Sequence, residues 1–203
     1  VAIYQENLDL ARFPHPDYPD QTLQWLRQKY QGKKIDVVVA CGPSSIKLAS
    51  KSCGTFWPDA RMIWLGSKEQ QEMSPGEAAH VALLTVKLDV ARTLDAARTL
   101  MPGASRLVVV GGNKSSYAGM NEFFLHEAEA AAARHGLAME FLAGLPLAET
   151  RRRLSLLPRD VMVLYGFSSF EGEGRAYTPR EAMLELSRAS GAPIFGLSKT
   201  LIG

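Results

Sequence analysis

The sequence is poor in the residues that much protein chemistry relies on. Two cysteines and four histidines occur in 203 residues, and no Cys/His or carboxylate group has metal-ligand spacing, so no metal site is assigned. No apolar run approaches the length of a membrane span, and the N-terminus lacks a charged-then-apolar signal pattern. An excess of one charge is missing as well. The 23 basic and 21 acidic residues leave +2, which gives no electrostatic case for a nucleic-acid partner.

Cofactor and catalytic fingerprints are absent too. No G-x-G-x-x-G follows any apolar run. Gly111-Gly112-Asn113-Lys114-Ser115 places lysine before serine, but Arg106 to Val110 ahead of it reads as strand, so the G-x-x-x-x-G-K-[ST] spacing fails. Gly166-Phe167-Ser168-Ser169-Phe170 is not a nucleophile elbow, because Phe170 stands where G-x-S-x-G needs its second glycine. The histidines offer no base: His15 lies in a proline-rich turn, His80 precedes a strand, and His126 and His135 do not share a helix face. No catalytic residue and no cofactor are assigned.

A relay of short apolar strands is present, each ending in small polar residues that open a helix. Ile35 to Cys41 runs into Gly42-Pro43-Ser44-Ser45, and Leu107 to Val110 runs into Gly111 to Tyr117. Val161 to Tyr165 runs into Gly166 to Phe170, and Ile194 to Leu197 into Ser198-Lys199-Thr200. Continuous Val/Ile/Leu runs suit parallel strands buried on both faces, and in such sheets ligands sit at the carboxyl ends. A 46% hydrophobic content supports a folded core.

Further strands are expected at Arg61 to Leu65, Val81 to Val86 and Met139 to Leu142, and Val1 to Leu10 is strand-like until Phe13-Pro14-His15-Pro16 breaks it. Helices are expected from Asp20 to Gly32, from Pro43 or Ser44 to Ser52, over Val90 to Met101, Gly119 to His135 and Leu147 to Leu156. Thr178-Pro179-Arg180-Glu181 is a capping box that starts another. Gln70 to Glu77 reads as a loop. The βα pattern restarts near Lys87-Leu88-Asp89, which predicts two α/β lobes, 1–88 and 89–203, without a flexible linker.

Cys41 at a strand end is expected as a buried thiol; Cys53 lies at the far end of the next helix, where a bridge would demand exacting geometry. Arg151-Arg152-Arg153 reads as a solvated helix face. The loop Phe170 to Arg175 has two glycines and three charges, and reads equally as a surface connection or as the rim of a cleft. Tyr165, Phe167, Phe170 and Tyr177 add aromatic surface suited to a small organic ligand.

Leu8-Asp9-Leu10-Ala11-Arg12-Phe13-Pro14, Lys33 to Pro43, Leu164-Tyr165 and Gly174 to Pro179, in this order, resemble the periplasmic-binding-protein-like sensor modules of bacterial membrane histidine kinases. Those modules are relatives of the substrate-binding proteins of ABC transporters. The resemblance runs through almost the whole chain. It implies a type I periplasmic-binding-protein fold, two Rossmann-like lobes with parallel sheets clamping a small molecule, without catalysis. It also implies a fragment lacking the first strand and the final return to the first lobe. The family's ligand-binding positions carry over to Gly42, Ser44, Ser45, Gly66 and Ser67 in the first lobe. In the second they fall on Asn113, Lys114, Ser115 and Tyr117, on Ser168 and Ser169, and on Lys199 and Thr200. Lys114, Lys199 and many hydroxyls lean toward an anionic or zwitterionic ligand with an apolar or aromatic body.

The resemblance places the module outside the cytoplasm, anchored through membrane segments outside this chain, as the sensor of a two-component kinase. The alternatives are an ABC-transporter component and, last, a Rossmann-like enzyme. A homodimer stays open.

Overall fold

The computed structural model describes residues 1–10, 12, 13, 15–52, 55–66, 81–85, 89–111, 118–166, 170–172 and 175–201. The chain forms two compact units, Val1–Lys87 and Leu88–Gly203.

In the first unit, helix α1 (Tyr18–Lys29) begins ahead of Asp20, with proline in its first turn and no side-chain bond from Asp17 at the N-cap. Pro19 needs no N–H partner there, so the helix starts earlier than a cap at Asp20 predicts. Asp20 instead accepts from Lys51 Nζ at 3.1 Å, tying α1 to α2 (Pro43–Ser52). Strands β1 (Val37–Cys41), β2 (Arg61–Gly66) and β3 (Val81–Thr85) form a parallel sheet in that order. The register puts Ala40, Met62 and Trp64 on one face, where they pack with Ile46 and Ala49 of α2, and Val38, Val81 and Leu83 complete this core.

The opposite face is open. Val39 is 55% and Leu84 59% exposed, against 1% for Met62. Cys41 shares that open face by alternation, so it is an exposed free thiol rather than the buried one expected from its apolar strand.

Residues 1–9 form no strand. Side chains hold this segment instead: Tyr18 donates its hydroxyl to the Leu8 carbonyl at 3.1 Å, and Glu6 accepts from Lys29 Nζ at 2.6 Å and from the Tyr30 hydroxyl. The bonds from Lys29 and Tyr30 lower the Glu6 pKa, and the bond to Glu6 raises the Tyr30 phenol to about 12. A depressed carboxylate contributes stability above its ordinary value and loses it as pH falls through the folded one. A raised phenol contributes below pH 10 and loses it as pH climbs toward about 12. Absorbance titration should therefore show one late-ionising tyrosine, and Glu6→Gln should return it to the ordinary range; an unchanged late step would remove Glu6 as the cause.

In the second unit, α3 (Val90–Leu100) precedes β4 (Arg106–Val110), α4 (Ala118–Arg134), β5 (Ala138–Leu142), α5 (Leu147–Ser155) and β6 (Val161–Tyr165). A hairpin of β7 (Phe170–Gly172) and β8 (Arg175–Tyr177) leads to α6 (Pro179–Ala189), β9 (Ile194–Gly196) and a 3-10 turn, Lys199–Leu201. The sheet is parallel in the order β5-β4-β6-β9. Every residue of β6 is buried, as a strand covered on both faces requires. Val108, Val110, Val163 and Tyr165 face Leu147 and Leu154 of α5 and Ala182 and Leu186 of α6. Leu107, Val109, Met162 and Leu164 face Val90, Leu94 and Ala97 of α3 and Phe124, Ala128 and Ala131 of α4.

The sequence-predicted capping box at Thr178 and Glu181 forms. The Phe170 to Arg175 loop is partly a hairpin, in which Phe170 pairs with Tyr177 and is itself buried. Strands of three residues are too short to show periodicity, and burial of Phe170 supplies what the local sequence does not. On α5, Arg152 and Arg153 both bind Glu149, holding its carboxyl down at about 2, while Arg151 lies 3.9 Å from Glu185.

Candidate functional site: the carboxyl ends of the parallel strands

In the second unit, strand order marks a candidate site. β4 lies between β5 and β6. The helix that follows β4 packs with α3 on one face, and the helix that follows β6 packs with α5 on the other. Where connections depart to opposite faces, a switch point lies between the two strands, and this is where open α/β sheets take ligands.

Two glycines form its floor. Gly111 donates its N–H to the Leu142 carbonyl at 3.0 Å, and Gly166 to the Val110 carbonyl at 3.1 Å. A Cβ on Gly111 would lie 2.6 Å from the Phe141 ring, and one on Gly166 2.7 Å from the Phe124 ring. The chain therefore leaves both strands at points where no side chain fits. Neither glycine was among the family-derived positions; a glycine directly after an apolar strand is the signal that could have found them.

The chain on either side of 167–169 is anchored. Tyr165 is fully buried and donates its hydroxyl to the Pro179 carbonyl at 3.0 Å, fixing the start of α6, while Phe170 re-enters the core. β9 neighbours β6, so the turn holding Lys199 and Thr200 lies beside that edge. Both residues are exposed; the Thr200 N–H donates to Ser198 Oγ at 3.2 Å. Among the described residues that follow the four strands (111, 143–146, 166 and 197–201), Lys199 carries the one charge.

In the first unit, Gly42 takes φ +80°, a left-handed conformation that glycine adopts without a Cβ penalty. Its N–H donates to the Leu65 carbonyl at 3.0 Å and its carbonyl accepts from Ile46 at 2.9 Å, which turns β1 into α2. Ser44 is exposed and Ser45 half-buried in the first turn of that helix, and Gly66 ends β2 beside Gly42. The structure thus brings Gly42, Ser44, Ser45 and Gly66 together, and Lys199 with Thr200. Ser67, Asn113, Lys114, Ser115, Tyr117, Ser168 and Ser169 lie outside the described residues, as do His80 and the 70–77 loop.

Among the described residues no group of His, Cys, Asp or Glu could hold a metal ion, and no helix is long and apolar enough to cross a membrane. His135 is paired with Asp95 at 2.7 Å and His126 is exposed on the outer side of α4.

No protein-family model matches the chain, and no curated protein matches it by sequence. Solved structures match in fold. An ABC domain from Streptococcus pneumonia in complex with L-Trp is 12% identical, with TM-score 0.55, over 90% of this chain and 60% of that one. A conserved domain protein from Vibrio cholerae is 15% identical, with TM-score 0.55, over 91% and 60%. The ligand-free, open form of a substrate binding protein with adhesive properties from Clostridium difficile is 16% identical, with TM-score 0.50, over 87% and 58%. The chain shares the fold of these structures, one of them a substrate binding protein. The chain spans about 60% of the length of the structures it matches.

Proposed function

We propose that the chain is a non-catalytic binding module for a small molecule, taken at the carboxyl ends of its parallel strands. The observation that carries this reading is the strand order β5-β4-β6-β9, with the connections after β4 and β6 on opposite faces, in a fold shared with a structure that holds L-Trp. The charge pattern supports an anionic or zwitterionic ligand. An aromatic amino acid heads the candidates, since L-Trp occupies one of the structures similar in fold.

The module's role is that of an extracytoplasmic sensor for a two-component histidine kinase. The order of its Leu8 to Pro14, Lys33 to Pro43 and Gly174 to Pro179 segments favours this over a free transporter component. A following membrane span and kinase domain in the encoded polypeptide would support it, and an N-terminal lipoprotein signal on a stand-alone protein would overturn it.

Thermal-shift screening with an amino-acid and organic-acid panel that includes L-tryptophan tests the binding reading, since a ligand of the native state raises the melting temperature. A panel without any stabilising member would sink it. With a ligand in hand, Lys114→Ala should weaken binding by about 1.5–3 kcal/mol, the range for hydrogen bonds to charged groups. Isothermal titration of wild type and variant reads that loss, and equal affinities would remove Lys114 from the site.

A further inference from the structure

The connection that follows β6 spans 166–178, whereas the one after β5 spans only 143–146. Such connections usually take roughly two to six residues, and a longer one on a rigid scaffold is commonly built for binding. This one carries the β7–β8 hairpin, in which Phe170 pairs with Tyr177 and Gly172 with Arg175. Strands of three residues make a hairpin too small to hold its own shape in water, so contacts outside it set where it stands. β7 packs on α5 and β8 on α6. Phe170 is buried in the core on that side of the sheet, and Tyr177 is half-buried against the same core. Thr178 and Glu181 close their capping box directly after β8. Across the whole connection, Tyr165 Oη donates to the Pro179 carbonyl at 3.0 Å.

Tyr165 is the last residue of β6, and it brings that strand its only hydroxyl. The next residue, Gly166, bonds to Val110 at the end of β4. One side chain thus joins the strand at the switch point to the far end of the connection. Phenylalanine would fill the same buried space without needing a partner, so what the hydroxyl adds is placement. We infer that the β7–β8 hairpin forms the wall of the ligand site on the α5 and α6 side of the switch point, and that Tyr165 is its positioning residue. This rests on the reading that a small molecule binds at the strand ends. The hydroxyl acts through the hairpin and touches no ligand. A binding wall works only when its support holds it within about 0.5 Å of its place, and the bond from Tyr165 to Pro179 fixes both ends of the hairpin to one strand.

Tyr165→Phe in the 203-residue chain tests this by amide hydrogen exchange and by titration with L-tryptophan. A hydroxyl that served stability alone would, on removal, speed exchange by one common factor in β6, α6 and the hairpin. The amides of 170–172 and 175–177 should instead exchange at least about 10-fold faster over and above the change in β6, as a locally opened unit does. Phe170→Leu, which trims the ring that seats the hairpin, should do the same. In the titration, Tyr165→Phe should weaken L-tryptophan binding by at least about 5-fold, roughly the worth of one hydrogen bond. Val161→Ala, at the opposite end of β6, should lower the melting temperature and leave that affinity unchanged. Hairpin amides that change no more than those of β6 overturn the positioning role. Equal affinities of wild type and Tyr165→Phe overturn the wall. If wild type itself does not bind L-tryptophan, the leading ligand of the binding reading falls and the panel member that stabilises the chain replaces it in the titration. A panel with no such member sinks that reading and the wall with it, while the exchange result still decides what Tyr165 holds.

Discussion

Gly191→Ala should destabilise the second unit by about 3 kcal/mol, at the upper end of what overpacking a tight site costs. A Cβ at this position would lie 2.3 Å from the Leu157 carbonyl oxygen and 3.3 Å from that of Ser155. These are backbone atoms, so no side chain can rotate away. Gly191 also donates its N–H to the Leu154 carbonyl at 3.0 Å, which locks the α6–β9 turn onto the end of α5, and relief of the clash would break that bond. Urea unfolding of wild type and variant measures the effect. Gly103→Ala is the control: nothing lies within 4 Å of its Cβ position, and removing glycine there should be neutral or slightly stabilising. A Gly191→Ala change below about 0.5 kcal/mol, the scale of surface substitutions, would show that the turn yields freely.

The second large effect is expected beneath the candidate site. Phe124→Ala removes a ring that is 4% exposed and should cost about 3–5 kcal/mol through the cavity it leaves. Gly166→Ala drives a methyl group into the same ring and should cost about 2 kcal/mol. Together they should cost clearly less than their sum, because the cavity accepts the methyl group. Strict additivity would show that the ring is not what forbids a side chain at the end of β6. Gly166 also ends β6 at the proposed binding edge, so any ligand found by screening should bind the Gly166→Ala variant more weakly than wild type.

The strands and the glycines that end them were legible because their physics is local. Val161 to Tyr165 is continuously apolar, which only a strand covered on both faces tolerates, and β6 is buried at every residue. Thr178 and Glu181 form their capping box because both partners sit within one turn. Gly42 follows β1 where the chain must enter the left-handed region, and it does so at φ +80°. The spacing of Val90, Leu94, Ala97 and Met101 predicted α3; the first three are buried in it, and Met101 is its half-buried C-cap.

Other features depend on what a segment packs against, which spacing along the chain does not encode. The sequence of β1 is as apolar as that of β6, yet the other face of its sheet is open and Cys41 is exposed on it. Val1 to Leu10 has a strand's composition but is held by side-chain bonds from α1 instead of a neighbouring strand. The hairpin at Phe170 exists because one ring is buried among α5 and α6. By itself, the sequence determined the parallel α/β class, the helix starts with strong caps and the glycines that end the strands, since propensity, capping and burial pattern act within a few residues. The order β5-β4-β6-β9, the switch point that it creates between β4 and β6, and the rings that exclude side chains at Gly111 and Gly166 were decided by tertiary structure. They arise from contacts between segments far apart in the chain, where close packing, not local preference, sets which atoms meet.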